Sequence, residues 1–215
     1  MKSFSFTQAL DFIKAYWLYL IPHHLFSRFT YLLTRTQHPF KNFLINTYIK
    51  MFKVNMSECT KSSPDDYKTF CDFFTRELKD GVHKIDNKKN SIISSCDGKI
   101  LEFGKIIDNT IVQIKGKTIT IDSLLDYDKG LNLKYENGSY AVIYLSPQDY
   151  HRVHMPCDGK LTKTIHIPGR LFSVASHAVK WIKNLYSRNE RLVCNFEKNN
   201  IMFSWIQDFD RISSL

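Results

Sequence analysis

The chain of 215 residues, 43% of them hydrophobic, is long enough to bury a core as one domain with a smaller appendage. A charged fraction of 24% excludes wholesale disorder, and 30 Lys and Arg against 21 Asp and Glu leave a net +9 that calls for an anionic partner. Five scattered cysteines (Cys59, Cys71, Cys96, Cys157, Cys194), with no C-x-x-C pair, imply neither a disulfide framework nor a structural zinc site.

Residues 1–57 hold seven basic side chains (Lys2, Lys14, Arg28, Arg35, Lys41, Lys50, Lys53), a single acid, Asp11, and 13 of the 30 aromatics. Cations suit anionic headgroups, and amphipathic rings such as Tyr16, Trp17 and Tyr19 suit the headgroup level, so this stretch reads as membrane-associating. An ordinary helical subdomain with its apolar face in the core is the competing reading. Asp11 and Lys14 interrupt the apolar run and Pro22 ends it, short of the ~20 residues a spanning helix needs. No small-residue cleavage site marks a signal peptide.

Helical spacing continues through Leu25, Phe26, Phe29, Leu32 and Leu33, and again through Phe43, Leu44, Tyr48, Met51 and Phe52. Residues 58–90 read as a helix and a connection. Ser63-Pro64-Asp65-Asp66 has the cap, the first-turn proline and the acids of a helix start, and Tyr67, Phe70, Phe74 and Leu78 form its expected buried stripe.

From residue 91 the period changes to that of strands. Segments 91–95, 99–103, 111–114, 118–121, 140–145, 161–167, 192–196 and 201–206 alternate or carry β-formers between Asp-Gly, Asn-Gly and Pro-Gly turns. A short helix is expected at 176–186. The fold class is therefore α+β: a helical, membrane-facing N-terminal part, then an antiparallel sandwich or partly open barrel over 91–197. Cys-Asp-Gly-Lys at 96–99 recurs at 157–160, so Asp-Gly alone is turn chemistry, not evidence of a site.

Reactive side chains are densest in Tyr144-Leu-Ser-Pro-Gln-Asp-Tyr-His151-Arg152-Val-His154-Met-Pro-Cys-Asp-Gly159, a strand running into a loop. His151 and His154 are open to three readings. A metal pair is weak, because the helical zinc spacing is four and no third ligand is close. Two satisfied loop histidines are the bland alternative, and general acid–base service is the third, with Asp97 as a carboxylate to orient an imidazole.

The same string resembles the signature loop of phosphatidylserine decarboxylases. So do Tyr67-x-x-Phe-x-x-Phe-Phe-x-Arg76-x-Leu78, Asp97-Gly98, Gln113-x-Lys-Gly116, Ile167-Pro-Gly-x-Leu-Phe-Ser-Val174 and Asn189-Glu-Arg191, in family order, from about residue 50 to 197. The resemblance implies a lyase that converts phosphatidylserine to phosphatidylethanolamine and CO2. It implies that Asp97 and His154 belong to a triad whose serine cleaves its own chain, and that His151 assists decarboxylation. It implies a pyruvoyl cofactor made from that serine, serving as electron sink, and no metal.

The resemblance also sets expectations for partners and place: an anionic phospholipid membrane, phosphatidylserine and the family's α-chain segment, with a homodimer compatible. The chain is expected to be peripheral on the cytoplasmic face of a bacterial inner membrane. Nucleic acid is not expected, since the strands lack a clustered basic and aromatic reading surface.

Beyond Phe196 the family pattern continues through Gly-rich strands to a Gly-Ser cleavage site, whereas here no glycine follows Gly169 and 198–215 reads as an atypical tail. Gly138-Ser139 sits in a hairpin turn. The expectation is that the pyruvoyl-forming serine is absent, as in a C-terminally truncated or frameshifted gene, and that these 215 residues alone neither self-cleave nor decarboxylate. An inactive membrane-surface binding remnant is the alternative.

Overall fold

The computed structural model describes residues 23–88, 91–112, 118–125, 134–174, 181–182 and 184–208. The chain divides into two compact units. One takes in Phe29–Leu101 and Val142–Gly159; the other is built on Glu102–Ala141 and the chain from Lys160 onward.

The first unit packs on aromatic rings. Helix α1 (His23–Arg35) leads to α2 (Lys41–Phe52), which ends where Lys53 turns left-handed (φ 57°) and its N–H donates to the Ile49 carbonyl. Short α3 (Phe70–Phe74) starts at Thr69, whose hydroxyl accepts from the Asp72 N–H. Tyr48 of α2 meets Phe70 and Phe73 edge-on, at 5.3 and 5.9 Å between centroids, and Tyr67 meets Phe73 at 5.5 Å. Such pairs add about 0.5–1.5 kcal/mol each beyond the area they bury. Ile45, Val54, Cys59 and Phe74 complete this core.

The helix expected from Ser63 is two pieces. The capping box forms as its sequence predicts, with Pro64–Asp66 a single 3-10 turn, but Tyr67 is extended (φ −92°, ψ 133°) and the chain restarts at Thr69. The Tyr67 hydroxyl donates to the Lys61 carbonyl at 2.7 Å, which holds the ring inward at the break. Tyr67, Phe70 and Phe74 are buried as the stripe requires, whereas Leu78 lies in a bridge with Cys59.

The second unit has a three-stranded antiparallel sheet of β5 (Lys160–Ile167), β6 (Arg191–Lys198) and β7 (Ile201–Asp208), with β6 central. Lys198 pairs Ile201 across Asn199 and Asn200, both left-handed (φ 50° and 63°), as a two-residue hairpin turn demands. The expected atypical tail is thus a regular strand as far as Asp208. A second pair, β2 (Thr110–Val112) with β3 (Thr118–Thr120), leads into α4 (Ile121–Leu124). Ile106, Ile111, Ile119, Leu124, Leu125, Ile167 and Val193 form the apolar core of this unit.

Two buried polar residues brace that core. Arg191, at the start of β6, donates Nε to the Leu124 carbonyl and Nη2 to the Ser123 carbonyl, both at 2.7 Å, and Nη1 to the Ser187 and Asn189 carbonyls at 3.0 Å. Asn189, just after α5 (Leu185–Arg188), accepts from the Phe172 N–H at 3.0 Å and donates to the Phe172 carbonyl at 2.8 Å, acting as a strand partner for one residue.

Strands β1 (Lys99–Lys105) and β4 (Ser139–Tyr144) pair with each other. Among the described residues the strands form three small sheets and no closed barrel, beside the helices, so the mixed helix and antiparallel-sheet class holds. Residues 91–95 are not a strand; Ile93 and Ser95 instead make single bonds to the chain around His154. Most of the helix expected at 176–186 lies outside the described residues, as does the region before residue 23. No helix among the described residues is long and apolar enough to cross a membrane.

Candidate active site

The reactive loop is fixed at its entry by a turn. The Asp149 carboxylate accepts from the Ser146 N–H at 2.6 Å while the Asp149 N–H donates to the Ser146 carbonyl at 2.9 Å. The Tyr48 hydroxyl donates to the Pro147 carbonyl at 2.9 Å. Buried Arg76 donates Nη2 to the carbonyls of Gln148 and Asp149, at 2.8 and 3.0 Å, so that the Phe-Phe-x-Arg segment holds the loop backbone directly. Arg152 does the same from the other side, bonding the Thr75 carbonyl at 2.7 Å and Glu77 at 2.9 Å.

His151 stacks on Phe74, with Nε2 buried and without a hydrogen-bond partner. Burial and then the Arg76 guanidinium push its pKa below the ordinary histidine value; Asp149 and backbone bonds at Ser146 and Pro147 act in the opposite direction. An orphaned polar atom of this kind calls for an explanation, and a ligand-facing nitrogen is one.

His154 is placed by its backbone, whose N–H donates to the Ser95 carbonyl at 2.7 Å, two residues from Asp97. Its Nε2 lies 3.0 Å from the Tyr150 hydroxyl, and the two rings are nearly parallel. Asp97 does not bond His154. Its Oδ1 takes His83 Nε2 at 2.7 Å, and the His83 ring lies 5.9 Å from that of Tyr150. The order in space is therefore Asp97, His83, Tyr150, His154. Burial first, and the Asp97 charge among the smaller causes, raise the Tyr150 pKa, while Arg152 acts to lower it. The hydroxyl facing His154 stays protonated near neutral pH.

Gly98 explains the placing of Asp97. Its φ of +129° suits glycine alone, and a Cβ there would lie 2.4 Å from the Tyr144 carbonyl oxygen. The Asp-Gly turn therefore touches the residue that opens the histidine loop. The repeat at Asp158-Gly159 has no such positive φ.

Asp97, His151 and His154 thus fall in one compact unit. Sequence reasoning missed His83, which no local spacing connects to Asp97 fourteen residues later. Tyr150 and Arg76 stand within the matched motifs, but nothing in the sequence gives them a contact. Among the described residues no group of three or more His, Cys, Asp or Glu is arranged to hold a metal ion.

Known proteins resemble the chain over most of its length. The phosphatidylserine decarboxylase family model matches residues 70–207, ten residues beyond the expected end of the likeness, and a second family model, described as PSD, matches 13–53. The chain is 47% identical over 189 residues to a phosphatidylserine decarboxylase proenzyme of Alkalilimnicola ehrlichii, covering 87% of this chain and 66% of that protein. A proenzyme of the same description from Francisella tularensis subsp. novicida is 45% identical over 188 residues, covering 87% and 65% respectively. The chain spans just under two thirds of the length of these relatives and belongs to the phosphatidylserine decarboxylase family.

Proposed function

We propose that this chain supplies the Asp–His part of a pyruvoyl-dependent proenzyme that converts phosphatidylserine to phosphatidylethanolamine and CO2. The observation that carries the reading is the 2.7 Å bond from the His154 N–H to the Ser95 carbonyl, which brings the histidine loop to the Asp97 turn across about 57 residues of sequence. In this reading His154 takes the proton of the cleavage serine, at the nitrogen that now faces the Tyr150 hydroxyl. Asp97 stabilises the imidazolium that results.

The pyruvoyl group would supply the electron sink when CO2 leaves. The residues present fit a substrate held beside it. His151 offers a buried, unpartnered Nε2, held neutral by burial and Arg76, which can orient the serine carboxylate or return a proton after its loss. A neutral imidazole also avoids stabilising the departing carboxylate as an ion pair, which would bind the ground state and slow its loss.

The helices support a peripheral place on an anionic membrane, on the cytoplasmic face of a bacterial inner membrane. Phe29, Leu32, Phe40, Phe43 and Met51 of α1, α2 and their connection are each more than half exposed, and exposed Arg28, Arg35, Lys50 and Lys53 lie among them. Apolar anchors interleaved with cations suit the headgroup boundary, at roughly 1 kcal/mol per basic residue near the surface.

The test is to append the C-terminal third of a relative after residue 207 and analyse the product by mass spectrometry with a carbonyl-reactive probe. The completed chain should cleave, acquire the probe and release CO2 from phosphatidylserine vesicles, and His154→Ala should prevent all three. Cleavage that persists in His154→Ala would remove the basis of the assignment. The 215-residue chain alone should do none of these. It contains no Gly-Ser pair outside the hairpin turn at Gly138-Ser139, and so offers no flexible scissile bond at a suitable place.

A further inference from the structure

We propose that His83 is a positioning residue for the Asp97–His154 pair: it fixes the Asp97 carboxylate through Oδ1 and leaves Oδ2 for His154. The proposal rests on the reading of Asp97 and His154 as a working pair. Asp97 is one-third exposed, and a carboxylate so placed would otherwise sample several rotamers in water. His83 Nε2 at 2.7 Å removes that freedom, and no described residue hydrogen-bonds Oδ2.

The chain is built to present His83. Lys79 hangs on the Glu58 carbonyl at 2.8 Å, Val82 N–H closes a turn on the Lys79 carbonyl at 3.3 Å, and Gly81 takes the left-handed position (φ +81°) that this turn requires. The imidazole then lies beside Tyr150, whose hydroxyl meets His154. His83 therefore holds Asp97 on one side and borders, through Tyr150, on His154 on the other. The charges of Arg152, Glu77 and Arg76 also act on Tyr150, and Cys96 adjoins Asp97.

An exposed ion pair with no further role is the ordinary alternative, and such pairs contribute little. Chemical rescue of the completed chain separates the two. His83 is half exposed, so His83→Ala should slow cleavage without unfolding the chain, and added imidazole should restore part of the rate. A wild-type rate in His83→Ala, or a slowed rate that imidazole leaves unchanged, overturns the proposal.

The completed chain keeps this proposal separate from the functional reading. There, His83→Gln should slow cleavage roughly ten-fold, the usual cost of losing an orienting partner, and Asp97→Asn should stop it. Wild-type cleavage by Asp97→Asn would defeat the functional reading whatever the His83 variants do. Cleavage stopped by Asp97→Asn but unaffected by His83→Gln would defeat the role of His83 alone.

Discussion

His151 lies flat against Phe74, ring centroids 4.1 Å apart and planes 23° from parallel. Protonating this imidazole in the fold means charging a buried ring beside a guanidinium, so its pKa lies below the ordinary value of about 6.5. The unfolded chain takes the proton first as pH falls. The contribution to stability is therefore complete above the ordinary value and is lost as pH drops through it toward the depressed folded value. The urea midpoint should fall between pH 7.5 and 5, and His151→Leu should show a smaller fall. Phe74→Leu, which opens the ring to solvent, should move the His151 titration upward toward its ordinary position, read by imidazole NMR.

Arg76 should be needed both for the loop and for that titration. Arg76→Met removes two hydrogen bonds from a charged donor to the Gln148 and Asp149 carbonyls, a loss of about 2–4 kcal/mol, seen as a lower urea midpoint. It also removes the cation beside His151, so the histidine midpoint should rise. A loop that keeps its amide shifts in Arg76→Met would show that the two carbonyl bonds do not hold it.

At Gly98, alanine meets both a strained backbone and the Tyr144 carbonyl. Gly98→Ala should cost roughly 1–3 kcal/mol and, by shifting Asp97, reduce cleavage of the completed chain as well. Asp158-Gly159 is the built-in control, since Gly159→Ala lacks the positive φ and should cost less.

Asn189→Asp tests the second unit. The carboxylate can still accept from the Phe172 N–H but faces the Phe172 carbonyl where an amide now donates. With no exposure at this position, the change should destabilise by about 2–4 kcal/mol, more than Asn189→Gln.

Membrane attachment has a direct assay. The chain should sediment with phosphatidylserine-containing vesicles and be released as salt rises, because the electrostatic part of the attraction is screened. Replacing Phe40 and Phe43 by Ser should weaken binding at every salt concentration. Equal binding to neutral vesicles, unaffected by salt, would mean that the basic residues contribute nothing.

The strands of the second unit were legible because β5 to β7 carry their own hairpin and alternation, down to the buried Arg191, Val193 and Asn195 on one face of β6. The helix from Ser63 was misread because its start signal is real but serves one turn. Tyr67 leaves helical geometry to place its hydroxyl on Lys61, a contact that periodicity does not encode. At the site, the histidine loop and Asp97 were visible through a long specific motif. His83 was not, because its link to Asp97 depends on the turn at Gly81 and not on spacing. The division into three sheets was hidden for a related reason: strand signals give the number of strands but not which of them share a sheet.

The chain leaves its first unit after Leu101 and re-enters it at Val142. During synthesis, Asp97 therefore emerges from the ribosome well before Tyr144 and the histidine loop. At about 5–20 residues per second, the 57 residues to His154 take roughly 3–11 s. Through that interval the aromatic core of the first unit can form, since Tyr48, Tyr67, Phe70 and Phe73 are already made, but Arg76 has no carbonyls to bind and Gly98 no Tyr144 to approach. A nascent chain arrested before residue 144 should accordingly hold a collapsed aromatic cluster with an unsupported Asp97-Gly98 turn, and proteolysis near residue 97 should stop only once the histidine loop has left the exit tunnel.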